Sequence, residues 1–336
     1  MKAVGLYKSL PIDHPEALLD VDVPKPTPGE RDLLVAVKAI AVNPVDYKVR
    51  SRPITDATLR ILGWDAAGIV DAVGPAVTLF KPGDPVYYAG DITRPGCNAE
   101  YHMVDERITG RKPASLDFPQ AAALPLTTIT AYEALFDRLG IDVDGRYRGR
   151  TVLVVGGAGG VGSIGIQLAK LAGLTVIATA SRPESETWVK QLGADVTVDH
   201  RRPLRSQLEA LGYRYVDYVA IFNNTDQHWN QVCDVVAPQG RITSIVENEG
   251  ALAQGVLKQK SAMFVWEFMF TRSMYKTDDM IEQHRLLNRV TEWIDAGKVR
   301  TTVKEVLSPI NASNLRKAHA ALERGQAIGK IVLEDF

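Results

Sequence analysis

The sequence predicts an α/β chain of two domains: a small β-rich, barrel-like domain and a doubly wound parallel sheet covered by helices on both faces. Three observations carry this. The first ~120 residues hold short apolar runs broken by Pro and Gly. From Thr151 onward, continuous apolar strands alternate with amphipathic helices. The chain of 336 residues is too long for one ordinary core and comfortable for two.

Composition narrows the function. Lys plus Arg number 39 against 40 for Asp plus Glu, so no global field favours nucleic acid or an anionic membrane. No apolar run nears ~18 residues, so no membrane span is expected. The start, Met1-Lys-Ala-Val-Gly-Leu-Tyr-Lys8, reads as a first strand rather than a signal peptide. Two cysteines, Cys97 and Cys233, exclude a disulfide scaffold and favour a reducing cytoplasm.

In the first region, Leu33-Leu-Val-Ala-Val-Lys38 and Ala67-Gly-Ile-Val-Asp-Ala-Val73 read as strands. The turn signals Pro26-Thr-Pro-Gly29, Gly74-Pro75 and Lys81-Pro-Gly-Asp84 bound them. A helical stretch begins near Asp117-Phe-Pro-Gln120. Val152-Leu-Val-Val155 is an apolar strand, and Val161, Ile164, Leu168 and Leu171 recur at helical spacing over 161–172. Strands over 176–180, 196–198, 215–221 and 241–246 follow, with helices near 186–192 and 204–211 between them. A long helix is expected over 278–296, another over 312–323, and a last strand at Lys330-Ile-Val-Leu333 that completes the first domain's sheet. The β-rich domain is therefore drawn as 1–124 with 300–336, and the parallel-sheet domain as 125–299. Met263-Phe-Val-Trp-Glu-Phe-Met-Phe-Thr-Arg-Ser-Met-Tyr275 is expected to form a core helix; the other reading is a cleft wall or an interface.

Gly156-Gly-Ala-Gly-Gly-Val-Gly162 follows an apolar strand and opens an amphipathic helix. Gly157, Gly159 and Gly162 meet the spacing G-x-G-x-x-G. Gly157 allows the tight turn, Gly159 lets the backbone approach a pyrophosphate, and Gly162 lets helix and strand pack closely. Gly157, Ala158, Gly159, Gly160 and Val161 thus form a phosphate cradle at a helix N-terminus. The next strand ends at Ala180-Ser181-Arg182, where a ribose is read. A site preferring NADH places Asp or Glu there; a guanidinium instead pairs with a 2′-phosphate, so NADPH is favoured. Phe222, Asn223 and Val246 follow strands at the carboxyl edge, where ligands bind.

Over nearly its whole length the chain resembles the medium-chain dehydrogenase/reductase superfamily, in its quinone oxidoreductase branch, a subgroup of which is labelled zinc-type alcohol dehydrogenase-like. The glycine turn, Asn43-Pro-Val-Asp46, Gly63-Trp-Asp-Ala-Ala-Gly68, Lys81-Pro-Gly-Asp84, Ala122-Ala-Leu-Pro-Leu126 with Thr130-Ala-Tyr-Glu-Ala-Leu135, and Gly329-Lys-Ile-Val-Leu333 carry the resemblance. It implies a GroES-like catalytic domain and a Rossmann domain. It implies that Thr130 touches the nicotinamide end of the cofactor, that His200 stacks on or pairs with the 2′-phosphate, and that Lys330 approaches the cofactor. It implies a homodimer joined through Rossmann sheet edges, toward which Arg241-Ile-Thr-Ser-Ile-Val246 leads without a proline.

The zinc label does not fit the ligand positions. Zinc-bearing relatives have a Cys at Asn43 and a His in the motif that here reads Gly63-Trp64-Asp65, and a structural zinc lobe needs four cysteines where the first domain has Cys97 alone. No metal is expected. Without a Lewis acid, an activated C=C or a quinone is the better hydride acceptor, because hydrogen-bond donors suffice for its oxygen. Asn43 and Tyr47 are the expected donors, with Asp46 orienting the loop; the quinone reductases place a Tyr one residue later, at Lys48. No motif supplies a dedicated general acid, so the proton comes from water or Tyr47. The expected function is an NADPH-dependent quinone or enone reductase. The alternatives are a zinc alcohol dehydrogenase and a non-catalytic, crystallin-like NADPH-binding protein.

Overall fold

A computed structural model of the protein describes residues 1–56 and 58–336. Its contacts divide the chain into two compact units, Met1–Leu126 with Phe270–Phe336, and Thr127–Met269.

In the first unit, among the described residues, seven strands make one sheet. Its order runs Val303–Leu307, Lys330–Glu334, Asp32–Ala41, Ala66–Val73, Pro85–Tyr88, Thr109–Arg111, and Tyr101–Asp105 also pairs with Asp32–Ala41. The central strand Asp32–Ala41 buries Leu33, Leu34, Val35, Val37, Ala39 and Ile40, which explains its nearly continuous apolar run. The tail strand Lys330–Glu334 runs antiparallel to it, with Val332 opposite Ala41 and Glu334 opposite Ala39. That register carries Lys330 past the end of the central strand, alongside Val42 and Asn43. Val42 N donates to Ile331 O at 3.1 Å. The chain then enters the short helix Pro44–Arg50, with Asn43 extended at the N-cap and Pro44 in the first turn, where its missing N–H costs nothing.

In the second unit the described strands form one parallel sheet. Its order is Val196–Val198, Thr175–Thr179, Thr151–Val155, Val216–Ile221, Val236–Ser244, Met263–Trp266. Leu153, Val155, Ile177, Val219, Ile221 and Ile242 pack against Trp229, Val232 and Val235 of helix Thr225–Val235. The strands and helices read from periodicity appear within a few residues of the expected bounds.

Three expectations are corrected. Residues 263–275 are not a core helix: they form the edge strand Met263–Trp266 and, after a turn, the short helix Thr271–Tyr275. Main-chain pairing with Val236–Ser244 decides this, because Arg241 stands opposite Met263 and Ser244 opposite Trp266. The strand containing Arg241 is consequently interior, and Met263–Trp266 is the sheet edge. The second domain boundary falls at 269/270 instead of 299/300. Helix Glu282–Asp295 belongs to the first unit: Tyr87 Oη donates to Leu287 O at 2.7 Å, and Asp295 accepts from Ser115 N at 2.9 Å. Among the described residues no helix is long and apolar enough to cross a membrane.

Candidate functional site

The second unit builds a nucleotide cradle. Strand Thr151–Val155 ends at Gly156, which has φ +81°. The left-handed turn thus falls on Gly156, correcting its assignment to Gly157. Gly157 answers to packing, since a Cβ there would stand 3.0 Å from Ala178 Cβ. At Gly162 a Cβ would lie 2.3 Å from Gly156 O, so helix and turn meet only through glycine. Gly159 is different: the nearest protein atom to its Cβ position is Gly156 O at 3.5 Å. The chain itself tolerates a side chain there, and the glycine leaves room for a group the chain does not contain. Helix Gly160–Leu171 begins at this point, with Gly159 as N-cap and the amides of its first turn, Gly160 and Val161 among them, at its positive end. Ala158 lies between these glycines and accepts from Ser163 Oγ at 3.4 Å. The cradle fits the pyrophosphate of a dinucleotide.

Ser181 and Arg182 follow strand Thr175–Thr179, and Arg182 is the exposed N-cap of helix Pro183–Gln191. A residue outside the motif joins them. Arg201 donates to Ser181 O at 2.6 Å and to Asp199 Oδ2 at 2.9 Å, and this pairing holds the Asp199 carboxyl down at about 2. The signal for Arg201 was the run Asp199-His-Arg-Arg202 after a strand, but only parallel pairing of the two strands shows that it reaches Ser181. His200 packs edge-on against His228 at 5.8 Å, and burial lowers its pKa. A neutral ring there offers stacking or one hydrogen bond, not a charge. Phe222 and Asn223 follow strand Val216–Ile221; Asn223 borders Gly156, and Phe222 lies against Gly165. Val246 O accepts from Thr225 Oγ1. Thr130 is buried in helix Pro125–Tyr132.

The first unit gathers a buried polar cluster from three distant segments. Asn43, Asp46, Asp65 and Lys330 are each at most 3% exposed. Lys330 Nζ donates to Val42 O at 2.9 Å, Asp65 Oδ2 at 2.9 Å and Asn43 Oδ1. These three bonds use all three ammonium protons, so Lys330 is a full member of this cluster. Asn43 Nδ2 donates to Asp65 Oδ2 at 2.8 Å and to Ala41 O at 3.4 Å. One amide proton is held by Asp65 at 2.8 Å and the other makes only a longer contact with Ala41 O, which ties Asn43 into the cluster. Asp65 Oδ1 accepts from Leu126 N at 2.8 Å. Asp46 Oδ2 accepts from Asn43 N at 2.6 Å, while Oδ1 is buried without a hydrogen-bond partner among the described residues. Burial pushes the Asp46 carboxyl up to about 7, against the Asn43 N–H and Lys330 that pull it down. The cluster therefore contains a weak acid that no motif announced. Tyr47 is half-buried on the next position of the same helix, its phenol pKa raised by burial and by Glu323.

This donor set does not fit zinc. Asn43 is a neutral amide engaged on both ends, Trp64 turns its indole N–H to Asp91 O at 3.3 Å, and the space among the oxygens is filled by an ammonium. Burial pushes the Cys97 thiol up, away from the thiolate a metal requires. Among the described residues no group of three or more His, Cys, Asp or Glu side chains gathers to hold a metal ion.

Comparison with known proteins agrees with this architecture. Residues 29–114 match the alcohol dehydrogenase GroES-like domain family, and residues 192–333 match the zinc-binding dehydrogenase family. A zinc-type alcohol dehydrogenase-like protein of Staphylococcus aureus is 42% identical over 99% of both chains. A 2-methylene-furan-3-one reductase of Solanum lycopersicum is 31% identical, covering 94% of this chain and 74% of its own. Among solved structures, a putative zinc-dependent alcohol dehydrogenase from Rhizobium etli superposes with TM-score 0.96 at 53% identity, over 100% of this chain and 98% of the other. The quinone oxidoreductase of Escherichia coli complexed with NADPH superposes with TM-score 0.83 at 26% identity, over 99% and 100%. The chain belongs to the medium-chain dehydrogenase/reductase superfamily, an oxidoreductase of the group that holds the quinone oxidoreductases and the zinc-type alcohol dehydrogenase-like proteins.

Proposed function

We propose that this protein is a cytoplasmic, homodimeric, NADPH-dependent reductase of quinones or activated C=C bonds that works without catalytic zinc. The observation that carries the reading is the Lys330 ammonium at the centre of the Asn43–Asp65 cluster. With a side-chain cation there and, among the described residues, no thiolate or imidazole gathered to hold a metal, oxidation of a simple alcohol lacks the Lewis acid that stabilises its alkoxide. A quinone or enone accepts hydride directly and spreads the charge onto an oxygen that hydrogen-bond donors can stabilise. When bound, NADPH supplies the hydride. Gly159, Gly160 and Val161 hold its phosphates, Ser181 with Arg182 and Arg201 reads its 2′-phosphate, and Thr130 orients its amide. Tyr47 and Asp46 are the residues able to hold the completing proton. The relative named for enone reduction and the NADPH-bound quinone oxidoreductase support this class. Homodimerisation is supported by the edge strand, where Met263 is 50% and Trp266 42% exposed, and by Phe268 just beyond it, 44% exposed.

The test is a substrate panel of quinones, enones and primary alcohols with NADPH or NADP⁺, run beside metal analysis of the purified protein. Turnover of quinones or enones in the presence of chelator is expected. Chelator-sensitive alcohol oxidation would replace this reading with the zinc dehydrogenase.

A further inference from the structure

We propose that the Lys330 ammonium is the permanent cation of this site, a positioning residue that holds Asn43 and Asp65 as a metal ion would and thereby excludes one. This deepens the zinc-free reading and rests on it. Three oxygens of three kinds surround the ammonium: a main-chain carbonyl at Val42, the amide oxygen of Asn43 and the carboxylate of Asp65. Val42 O and Asp65 Oδ2 each accept from the ammonium at 2.9 Å. Lys330 is 3% exposed and the Asp65 side chain is fully buried. A buried pair of this kind is costly to open, because removing one partner strands the other charge.

The position of the cation is set by the sheet rather than by a loop. Lys330 opens the strand that pairs with Asp32–Ala41, so backbone bonds on both sides fix where its side chain starts. The ammonium in turn fixes the amide. With Lys330 on Oδ1 and Asp65 on Nδ2, a flipped Asn43 would set its NH₂ against the ammonium and its carbonyl against the carboxylate. One orientation survives. Asp65 also receives Leu126 N and so ties this cluster to the start of helix Pro125–Tyr132.

Removing the ammonium while keeping the backbone leaves an all-oxygen cage whose one carboxyl, raised by burial and no longer held down by Lys330, gives up its proton when a metal ion enters. Such a donor set suits a hard divalent cation, and Mn²⁺ more than zinc. The oxygens need only close from the ammonium distance to the ~2.2 Å of a metal bond.

The experiment uses chelator-treated full-length protein and Mn²⁺ alone as the probe, read by the free Mn²⁺ resonance and by thermal melting. Lys330→Ala should bind one Mn²⁺ per chain and melt higher with it. Wild type should do neither, and Lys330→Ala with Asp65→Asn should lose the binding. Wild type holding Mn²⁺ or zinc as tightly as the variant overturns the proposal, as does a folded Lys330→Ala that binds none. If Lys330→Ala does not fold, Lys330→Gln keeps most of the volume. It should stay folded and lose roughly tenfold or more in kcat, with the KM for NADPH changed less than about twofold. Unchanged kcat, or a loss confined to the KM for NADPH, overturns the positioning role. The Mn²⁺ arm needs no substrate, so a failure to reduce quinones or enones sinks the functional reading alone.

Discussion

Lys330 Nζ lies 2.9 Å from Asp65 Oδ2, although the two residues are 265 positions apart. The tail strand thus finishes a site begun by the loop after Asp32–Ala41.

Arg182 and Arg201 flank Ser181, one exposed at a helix N-cap and one anchored by Asp199. NADPH is expected to bind at least about tenfold tighter than NADH, or ~1.4 kcal/mol. Arg182→Ala and Arg201→Ala should each weaken NADPH and leave NADH nearly unchanged. Titration of both cofactors decides it; equal weakening of the two removes the assignment.

Asn43→Ala unties Lys330 and Asp65 together, so it should slow reduction of an enone and of a quinone alike. Tyr47→Phe should slow the enone more, because a quinone leaves as a stabilised anion with less need of a proton. The comparison is of kcat/KM ratios on one acceptor of each kind. If neither change costs more than about threefold, ~0.65 kcal/mol at the transition state, the chemistry lies elsewhere.

Glu267 and Glu133 are both fully buried, and Arg138 faces them, with Nε 2.8 Å from Glu267 Oε2. Arg138 closes a π-helical stretch, Glu133–Arg138, that brings it back toward Glu133. Burial first and the Glu133 charge second raise the Glu267 carboxyl to about 9, from 4.5 in the unfolded chain. The folded state therefore keeps a proton that the unfolded state releases. The contribution is complete below 4.5 and is lost as pH rises through about 9. Asp46 adds a slope of the same sign that ends near 7, and burial raises the Asp65 carboxyl as well, so Glu267 supplies one separable part of the decline above neutrality. Melting temperature should fall between about pH 7 and 9, and Glu267→Gln should flatten that fall while keeping an acceptor for Arg138. A variant whose melting declines as steeply as wild type would contradict it.

Trp266 and Met263 stand exposed on the terminal strand of the parallel sheet. The protein should sediment as a dimer at micromolar concentration, and Trp266→Lys should shift it toward monomer by setting a charge on the edge. A wild-type monomer under those conditions rules the edge out as an interface.

The sequence by itself determined the two-unit α/β build, the glycine turn and the basic corner Ser181-Arg182 after the next strand. These are local: a strand, a turn and a helix lie within about thirty residues, and periodicity and glycine spacing record them directly. Even there, the choice of Gly156 over Gly157 as the left-handed residue needed coordinates, since spacing does not show φ. The aromatic stretch 263–275 misread as a helix for a related reason. Apolar density predicts burial, but the edge strand is fixed by main-chain partners in Val236–Ser244, which composition does not encode. Only the tertiary structure decided the polar cluster. Asn43, Asp65 and Lys330 sit in three segments, and nothing in any one segment says that the ammonium meets both the amide and the carboxylate. A lone Asp in the apolar run Leu62-Gly-Trp-Asp-Ala-Ala67 was the available hint, because a buried carboxylate must find a partner. Which partner it finds depends on sheet register, and register is settled by the whole fold.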